Sequence, residues 1–566
     1  MKKYVSLVLF SLLSWAVCAK DFPKVILAGD YPDPTILRDG KDYYMTHSPF
    51  YYAPGFLIWH SQDLEHWEPV CRAMAQWEGS AMAPDLVKYN NRYYIYYPAA
   101  GTNWVIWADN IRGPWSAPKV NGIDPGHVAD ADGKRYLYLS EGKVVQLSDD
   151  GLSTVGEVKK VYDGWPYPRN WRTEGMYLES PKLNYHNGYY YLTSAEGGTA
   201  GPGTSHMVVT ARSKSVLGPW ENSPFNPLVH TYSERESWWS RGHGTLIDDV
   251  NGNWWVAYHA YAKGYHTLGR QTLIEPIEWT PDGWCRAKSA GTLPKAEAPI
   301  RHGLELSDDF QGAKLGLQWT FWKEYAPKAV SIENRTLRLK AKGNTPADGR
   351  LLLATAEDKN YETQVEVTVG KNNTAGLLLY YSEKAYAGLV SDGKTFTVYR
   401  HAGQKTEMPN TLGRQFTVRI KNQGNHVSIS VGKDGKEWTT LAEGIDVSGM
   451  HHNAYKGFYA LRIGLVSIGK GEAAFRRFRY KNAVPQEKDL SAYLMVFHKD
   501  ETHGLYMALS RDGYTFTALN DGEPVLAGDT IAYQRGIRDP YIYRGPDGAF
   551  YLAMTDLHVF ARRDGY

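Results

Sequence analysis

The sequence predicts an all-β chain, a five-bladed β-propeller followed by a β-sandwich, and three observations carry that prediction. A strand-turn-strand unit recurs five times between residues 22 and 298. The recurrence stops near Lys295, and residues 308–482 alternate apolar and polar instead. Aromatic residues make up 13% of the 566 residues, with 41 Tyr and 19 Trp against 16 Phe, a bias that suits strands and the stacking of sugar rings alike.

The five units run Asp33–Met45, Ala83–Tyr97, Asp124–Leu139, Glu179–Ser194 and His243–His259. Each starts on an acidic or small polar residue, passes through a short strand and a turn, and returns as an aromatic strand. The pairs Asp39-Gly40, Asp132-Gly133, Asn187-Gly188 and Asn251-Gly252 are hairpin signals, because Gly supplies the positive φ of a tight turn. Asn90-Asn91 signals more weakly. Between the hairpins a second motif returns at His60–Val70, Ala108–Pro118 and Ala211–Pro224, and reads as the outer strands of each unit. Repetition at this spacing, with four strands to a unit, specifies a propeller. A sandwich of short strands would not keep so regular a period.

In a propeller the first strand of each unit lines the central channel. Asp124, Glu179 and His243 all stand nine residues before the hairpin Gly, which predicts a common depth; Asp33 stands seven before its own, and Met82 holds the matching place in the second unit. Three acids, Asp33, Asp124 and Glu179, therefore converge at one end of the axis, a site for acid/base chemistry on a neutral polar substrate such as a sugar. A lone Asp before Pro is ordinarily a turn residue; Asp33 departs from that reading because it recurs in frame with the other two. Glu174 and Glu196 flank the fourth unit and read as loop or supporting groups, and Asp85, one step out of phase, reads as structural.

Residues 1–19 read as a secretory signal peptide, with Lys2 and Lys3, an apolar run over Val5–Val17 and a cleavage site at Val17-Cys18-Ala19. The run is too short to span a membrane. Export to the periplasm or outside the cell follows, with lipidation of Cys18 as the alternative. Only Cys71 and Cys285 remain, which leaves one bridge or two free thiols open and excludes a disulfide scaffold. A net charge of +2 without a basic run argues against nucleic acid as a partner.

The domains are then the signal peptide, a propeller over 22–298, a sandwich over 308–482 and a last segment over 488–566. That segment repeats the first-unit pattern at Asp539–Met554, with Asp539 nine before Gly548, and the outer motif at Ser510–Leu526. It reads as the start of a second propeller, too short to be complete, and a truncated sequence is the expectation.

Taken together, Tyr31–Pro34, Gly55–Trp67, Ala83–Leu86, Gly113–Pro118, Gly122–Asp124, Glu179–Leu183, Ala195–Thr199, Gly242–Leu246 and Leu268–Thr272 resemble glycoside hydrolase family 43. The resemblance is strong over 22–300 and looser over the sandwich. It implies a five-bladed propeller with a concanavalin-like β-sandwich, an exo-acting, inverting glycosidase releasing pentose from plant hemicellulose, β-xylosidase before α-L-arabinofuranosidase. It implies Asp33 as general base, Glu179 as general acid and Asp124 as the acid that orients Glu179 and raises its pKa, with base and acid about 6.5–9.5 Å apart. It further implies Arg270 and Phe50 as substrate contacts. His243 is implied as a channel histidine that faces a structural calcium in many members; no other cofactor is expected. Met82 departs from the Trp that many xylosidase relatives carry there, which bears on the sugar. A non-catalytic carbohydrate-binding propeller is the rival reading, and it predicts a missing acid or base.

Overall fold

A computed structural model describes residues 22–117, 119–120, 123–288, 299–483, 492–510, 514–545 and 549–559. The signal-peptide reading and the Cys18 alternative lie outside them. Five antiparallel sheets account for the repeat units. From the innermost strand outward they are 35–39, 42–46, 55–61 and 68–74; 85–89, 92–99, 102–108 and 119–120; 126–129, 135–139, 143–147 and 154–160; 178–186, 189–196, 207–213 and 221–222; and 238–248, 254–262, 271–279 and 24–27. The innermost strands neighbour one another in cyclic order, the first touching both the second and the fifth. The fifth sheet takes its outer strand from the start of the chain: Lys24 pairs Ile274 and Val25 pairs Leu273. That pairing closes the ring and leaves neither end an open inner edge.

The backbone corrects the phase read from the sequence. Asp33, Ala83, Asp124, Ser180 and His243 all adopt positive φ at the inner end of their units, each followed by Pro or Gly. Ser180 and Ala83, not Glu179 and Met82, are therefore the counterparts of Asp33 and Asp124. Counting back from the hairpin Gly misaligned the units because the turns differ. The first, second and fourth sheets use two-residue turns, with Asp39 opposite Asp42, Tyr89 opposite Arg92 and His186 opposite Tyr189. The third and fifth use longer turns, with Ala129 opposite Arg135 and Asp248 opposite Trp254. Glu179 also sits inside a strand, Leu178–His186, ahead of a bulge between Glu179 and Lys182, rather than upstream of it.

Two residues after each positive-φ position comes a second ring: Thr35, Asp85, Gly126, Lys182 and Thr245. Lys182 Nζ lies 3.2 Å from Asp85 Oδ1 and donates to the Pro84 carbonyl at 2.8 Å. Asp85 also accepts from His127 N at 2.7 Å and from Thr35 Oγ1 at 3.4 Å. Gly126 is required there, because a Cβ would come within 2.0 Å of the Pro181 oxygen. This buried, paired layer tightens the channel below the acids; Asp85 belongs to it by its ion pair and hydrogen bonds, and stands in the channel's second ring rather than out of phase.

The sandwich packs an eight-stranded sheet on a seven-stranded one around an apolar core that includes Leu337, Leu377, Phe416, Ile420, Leu465 and Phe475. One strand of the larger sheet is borrowed from the propeller: Ala53 pairs Phe321 and Tyr52 pairs Trp322. Further ties join the two layers, among them Ile300 N to Val25 O at 2.9 Å, Gly303 N to Trp67 O at 2.9 Å and Arg72 Nε to Leu317 O at 2.8 Å. Cys71 and Cys285 are free thiols.

Residues 484–566 form a separate compact unit. Strands 493–499, 504–510 and 517–518 make one sheet, and 537–544 pairs with 550–556 in a hairpin. Gly548 lies outside the described residues. Among the described residues no helix is long and apolar enough to cross a membrane.

Candidate active site

Asp33 is 4% exposed and held on all sides. Arg270 Nη1 donates to Oδ1 at 3.0 Å, and Ser48 Oγ donates to Oδ2 at 2.5 Å while accepting from Ala83 N at 2.6 Å. The Asp33 backbone N–H donates to His259 Nδ1 at 3.1 Å, so the ring carries its proton on Nε2, 3.2 Å from Thr199 Oγ1. Burial alone would raise the Asp33 pKa. The Arg270 guanidinium opposes it, and the carboxyl ends well below the ordinary carboxylate range. Burial keeps His259 and His243 neutral, lowering the first to about 4, so the permanent charge on Arg270 is the decisive partner.

The other two acids shift the opposite way. Burial and then the Asp33 charge push Asp124 up to about 6, although Ser140 Oγ donates to it at 3.3 Å and Lys182 opposes the rise. Glu179 is pushed up to about 8, by burial first, then by Asp124, Asp33 and Glu174, against Arg270. Among the described residues no hydrogen bond holds the Glu179 carboxyl, which leaves its proton free for transfer. One carboxylate stripped of its proton and one that keeps it, in a shared field, are the two halves of an acid/base pair.

Arg270 is the hinge of the site. Its guanidinium carbon lies 5.4 Å from the Phe50 ring centroid and 5.1 Å from that of Phe458, and Nη2 is buried with no partner, a donor aimed at neither carboxylate nor carbonyl. Phe50 is buried at positive φ and is fixed by paired bonds to Ala81. Phe458 comes from the sandwich, where it stacks on His452; Asn453 of the same loop exchanges two 3.0 Å hydrogen bonds with the Gly201 backbone. The structure thus brings Asp33, Asp124, Glu179, Arg270, Phe50 and His243 into one network. Glu174 acts on it through its charge on Glu179 and accepts from Ala200 N at 2.8 Å, whereas Glu196 is taken up by Trp165 N at 2.6 Å.

His243 Nδ1 lies 3.3 Å from Asp33 Oδ1, and ligand atoms of Asp33, His243 and His259 lie within 4.8 Å of one another. This trio is a poor cage for a cation. Its Asp33 oxygen already faces Arg270, its His259 nitrogen already accepts a backbone N–H, and calcium prefers oxygen donors. His243 Nε2 is the nitrogen of the trio left buried and without a partner.

Sequence reasoning missed Ser48, His259, Ser140 and Phe458. A His inside the apolar run Trp254–Ala262 was a signal for His259. Ser48 and Ser140 carry none, and Phe458 reaches the site only through packing between layers.

Residues 22–285 match the model for glycosyl hydrolases family 43, residues 307–481 that for a beta xylosidase C-terminal concanavalin A-like domain, and residues 488–566 that for a probable glycosyl hydrolase domain. A non-reducing end alpha-L-arabinofuranosidase of Bacteroides ovatus is 30% identical over 540 residues, spanning 84% of this chain and 97% of that protein. A xylan 1,3-beta-xylosidase of a Vibrio species is 30% identical over 64% of this chain and 77% of its own length. The crystal structure of a xylan beta-1,4-xylosidase from Bacillus halodurans superposes with a TM-score of 0.71 at 28% identity, covering 81% of this chain and 99% of that one. On motif, fold and length of match, the chain belongs to glycosyl hydrolase family 43.

Proposed function

We propose that this chain is an exo-acting glycosidase that removes single pentoses from plant hemicellulose with inversion, acting as a β-xylosidase. The observation that carries the reading is a buried carboxylate, Asp33, held ionised by Arg270 at 3.0 Å, while Glu179 in the same field is displaced the opposite way. Asp33 accepts a proton from a water as its oxygen bonds to the anomeric carbon. Glu179 gives its proton to the glycosidic oxygen as the carbon–oxygen bond breaks, and Asp124 keeps that proton on Glu179 until it is needed. Arg270 Nη2 offers a hydrogen bond to a sugar hydroxyl, and Phe50 and Phe458 give the sugar apolar faces. The sandwich loop at 452–458 closes one side, which favours a pocket over a cleft.

A second reading, α-L-arabinofuranosidase, is favoured by the Bacteroides ovatus relative, which this chain matches over 97% of that protein's length. A hydrated calcium would meet this chain at His243 Nε2 and supply fixed positive charge in the channel; no step depends on it. We further propose export through the leader at 1–19.

The test is a panel of 4-nitrophenyl pentosides, with NMR of the first-formed anomer. Faster release from β-D-xyloside and an inverted anomer are expected. Retained configuration, or full activity in Asp33→Asn, overturns the assignment; preference for α-L-arabinofuranoside selects the second reading.

A further inference from the structure

The sandwich does more than wall the pocket. Arg462 opens the sandwich strand Arg462–Gly469, and its side chain is 8% exposed. Nη2 donates to Asp30 Oδ2 of the propeller at 3.2 Å, and the guanidinium carbon stands 3.5 Å from the Tyr52 ring centroid. Asp30 is itself 4% exposed. Burial disfavours its charge most strongly and leaves its pKa raised, with Arg462 first, then the Arg270 side chain and the Arg270 backbone N–H, opposing the rise.

Asp30 touches the catalytic segment at its most constrained point. Gly269 has φ 75°, and a Cβ there would fall 2.3 Å from Asp30 Oδ1, so the carboxylate lies flush against the Gly269 backbone. That oxygen has no fully formed hydrogen bond of its own, which leaves Arg462 as the strong anchor of the group. One residue on, Tyr31 N donates to the Arg270 carbonyl at 3.0 Å. From the far side the sandwich presses on the same segment: a Cβ at Gly29 would meet Thr355 Cγ2 at 2.8 Å and the Ala356 oxygen at 2.9 Å. The sandwich also grips the run before Arg270, through Leu461 N to Thr267 O at 2.7 Å and Asn425 Nδ2 to Gly264 O at 3.0 Å.

We propose that Arg462 and Asp30 form a positioning pair that sets the register of Arg270 against Asp33, so that a sandwich residue acts on the chemistry through a propeller carboxylate. Neither group touches the sugar. Their effect passes along Arg462, Asp30, the Gly269–Arg270 backbone and the Arg270 guanidinium to Asp33. The inference rests on the roles given above to Asp33 and Arg270.

The experiment is a double-mutant cycle in the full chain, with kcat and KM for 4-nitrophenyl β-D-xyloside and α-L-arabinofuranoside measured well below each variant's Tm. Arg462→Met is expected to lower kcat/KM at least about tenfold, since a displacement of about 1 Å at a catalytic group costs up to ~100-fold. In an Arg270→Met background the same change is expected to add almost nothing, because the part it positions is gone. Arg462→Lys keeps the charge and is expected to recover part of the loss, and Asp30→Asn to reproduce the loss of Arg462→Met. Losses that multiply in the double variant, or full activity in a folded Arg462→Met, overturn the proposal and leave the pair an interface strut. Asp33→Asn in the same assay separates the two claims: if it is inactive while Arg462→Met is not, only the positioning role fails.

Discussion

Ser48 shows how a short side chain sets a charge. Its hydroxyl accepts from Ala83 and donates to Asp33, so it stabilises the ionised carboxylate alone. In Ser48→Ala the Asp33 pKa rises, and the acid limb of the kcat/KM profile is expected to move to higher pH with the alkaline limb unchanged. On the role proposed for it, Glu179 works only while protonated and sets the opposite limb. Activity should therefore fall as pH climbs through about 8. Asp124→Asn removes the nearest negative charge from Glu179, lowers its pKa and should draw that limb toward neutral pH, with kcat down about 100-fold. A pH–rate profile of each variant against the parent reads both outcomes. The acids were visible in the sequence because Asp33 and Asp124 stand at the repeated strand start and Glu179 one residue before it. Ser48 and Ser140 were not, since a serine in a polar turn looks the same whether or not a carboxylate waits nearby.

Among the strands and turns, the inner ends of the five units share a backbone that disfavours ordinary residues. Positive φ at Asp33, Asp124 and His243 suits residue types that adopt it more readily, but at Ala83 and Ser180 it is strain of about 1–2 kcal/mol each, held by the closed ring. The layer below carries a buried charge pair, Lys182 and Asp85. Lys182→Met would leave Asp85 buried and unpaired, and is expected to cost about 3–5 kcal/mol in denaturant unfolding; replacing both by apolar residues should recover most of it. Unit count and strand order were legible in the hairpin signals, whereas depth was not. Residue counts run through turns, and turns of two residues and of five both carry a Gly, at different places within them. The same backbone feature returns in the last unit: Asp539 has φ 47° and its N–H donates to His498 Nδ1 at 3.2 Å, as Asp33 does to His259. The sequence showed the likeness of Asp539 to Asp33, but not that a histidine answers both.

For the molecule as a whole, composition and alternation were enough to predict two β architectures, and not enough to predict that they share a strand. Tyr52 and Ala53 leave the propeller to join the sandwich sheet two residues after Phe50, so the pocket aromatic is fixed from both layers. Such a contact is non-local and leaves no period to read. Phe458 completes the enclosure, and Phe458→Ala is expected to raise KM for aryl pentosides by about three- to tenfold, the equivalent of ~1 kcal/mol, with a smaller change in kcat. Steady-state kinetics on the folded variant decides it.

The closing strand at 24–27 ties ring closure to the site. Within ten residues the chain closes the ring, presses Gly29 against the sandwich, sets Asp30 on Gly269 and delivers Asp33 to Arg270. On the role proposed for Asp33, a molecule whose ring has not shut is expected to lack the carboxylate placed to take a proton from water, even with its other four sheets formed. A turnover assay on a refolding sample is then expected to count closed rings rather than folded sheets.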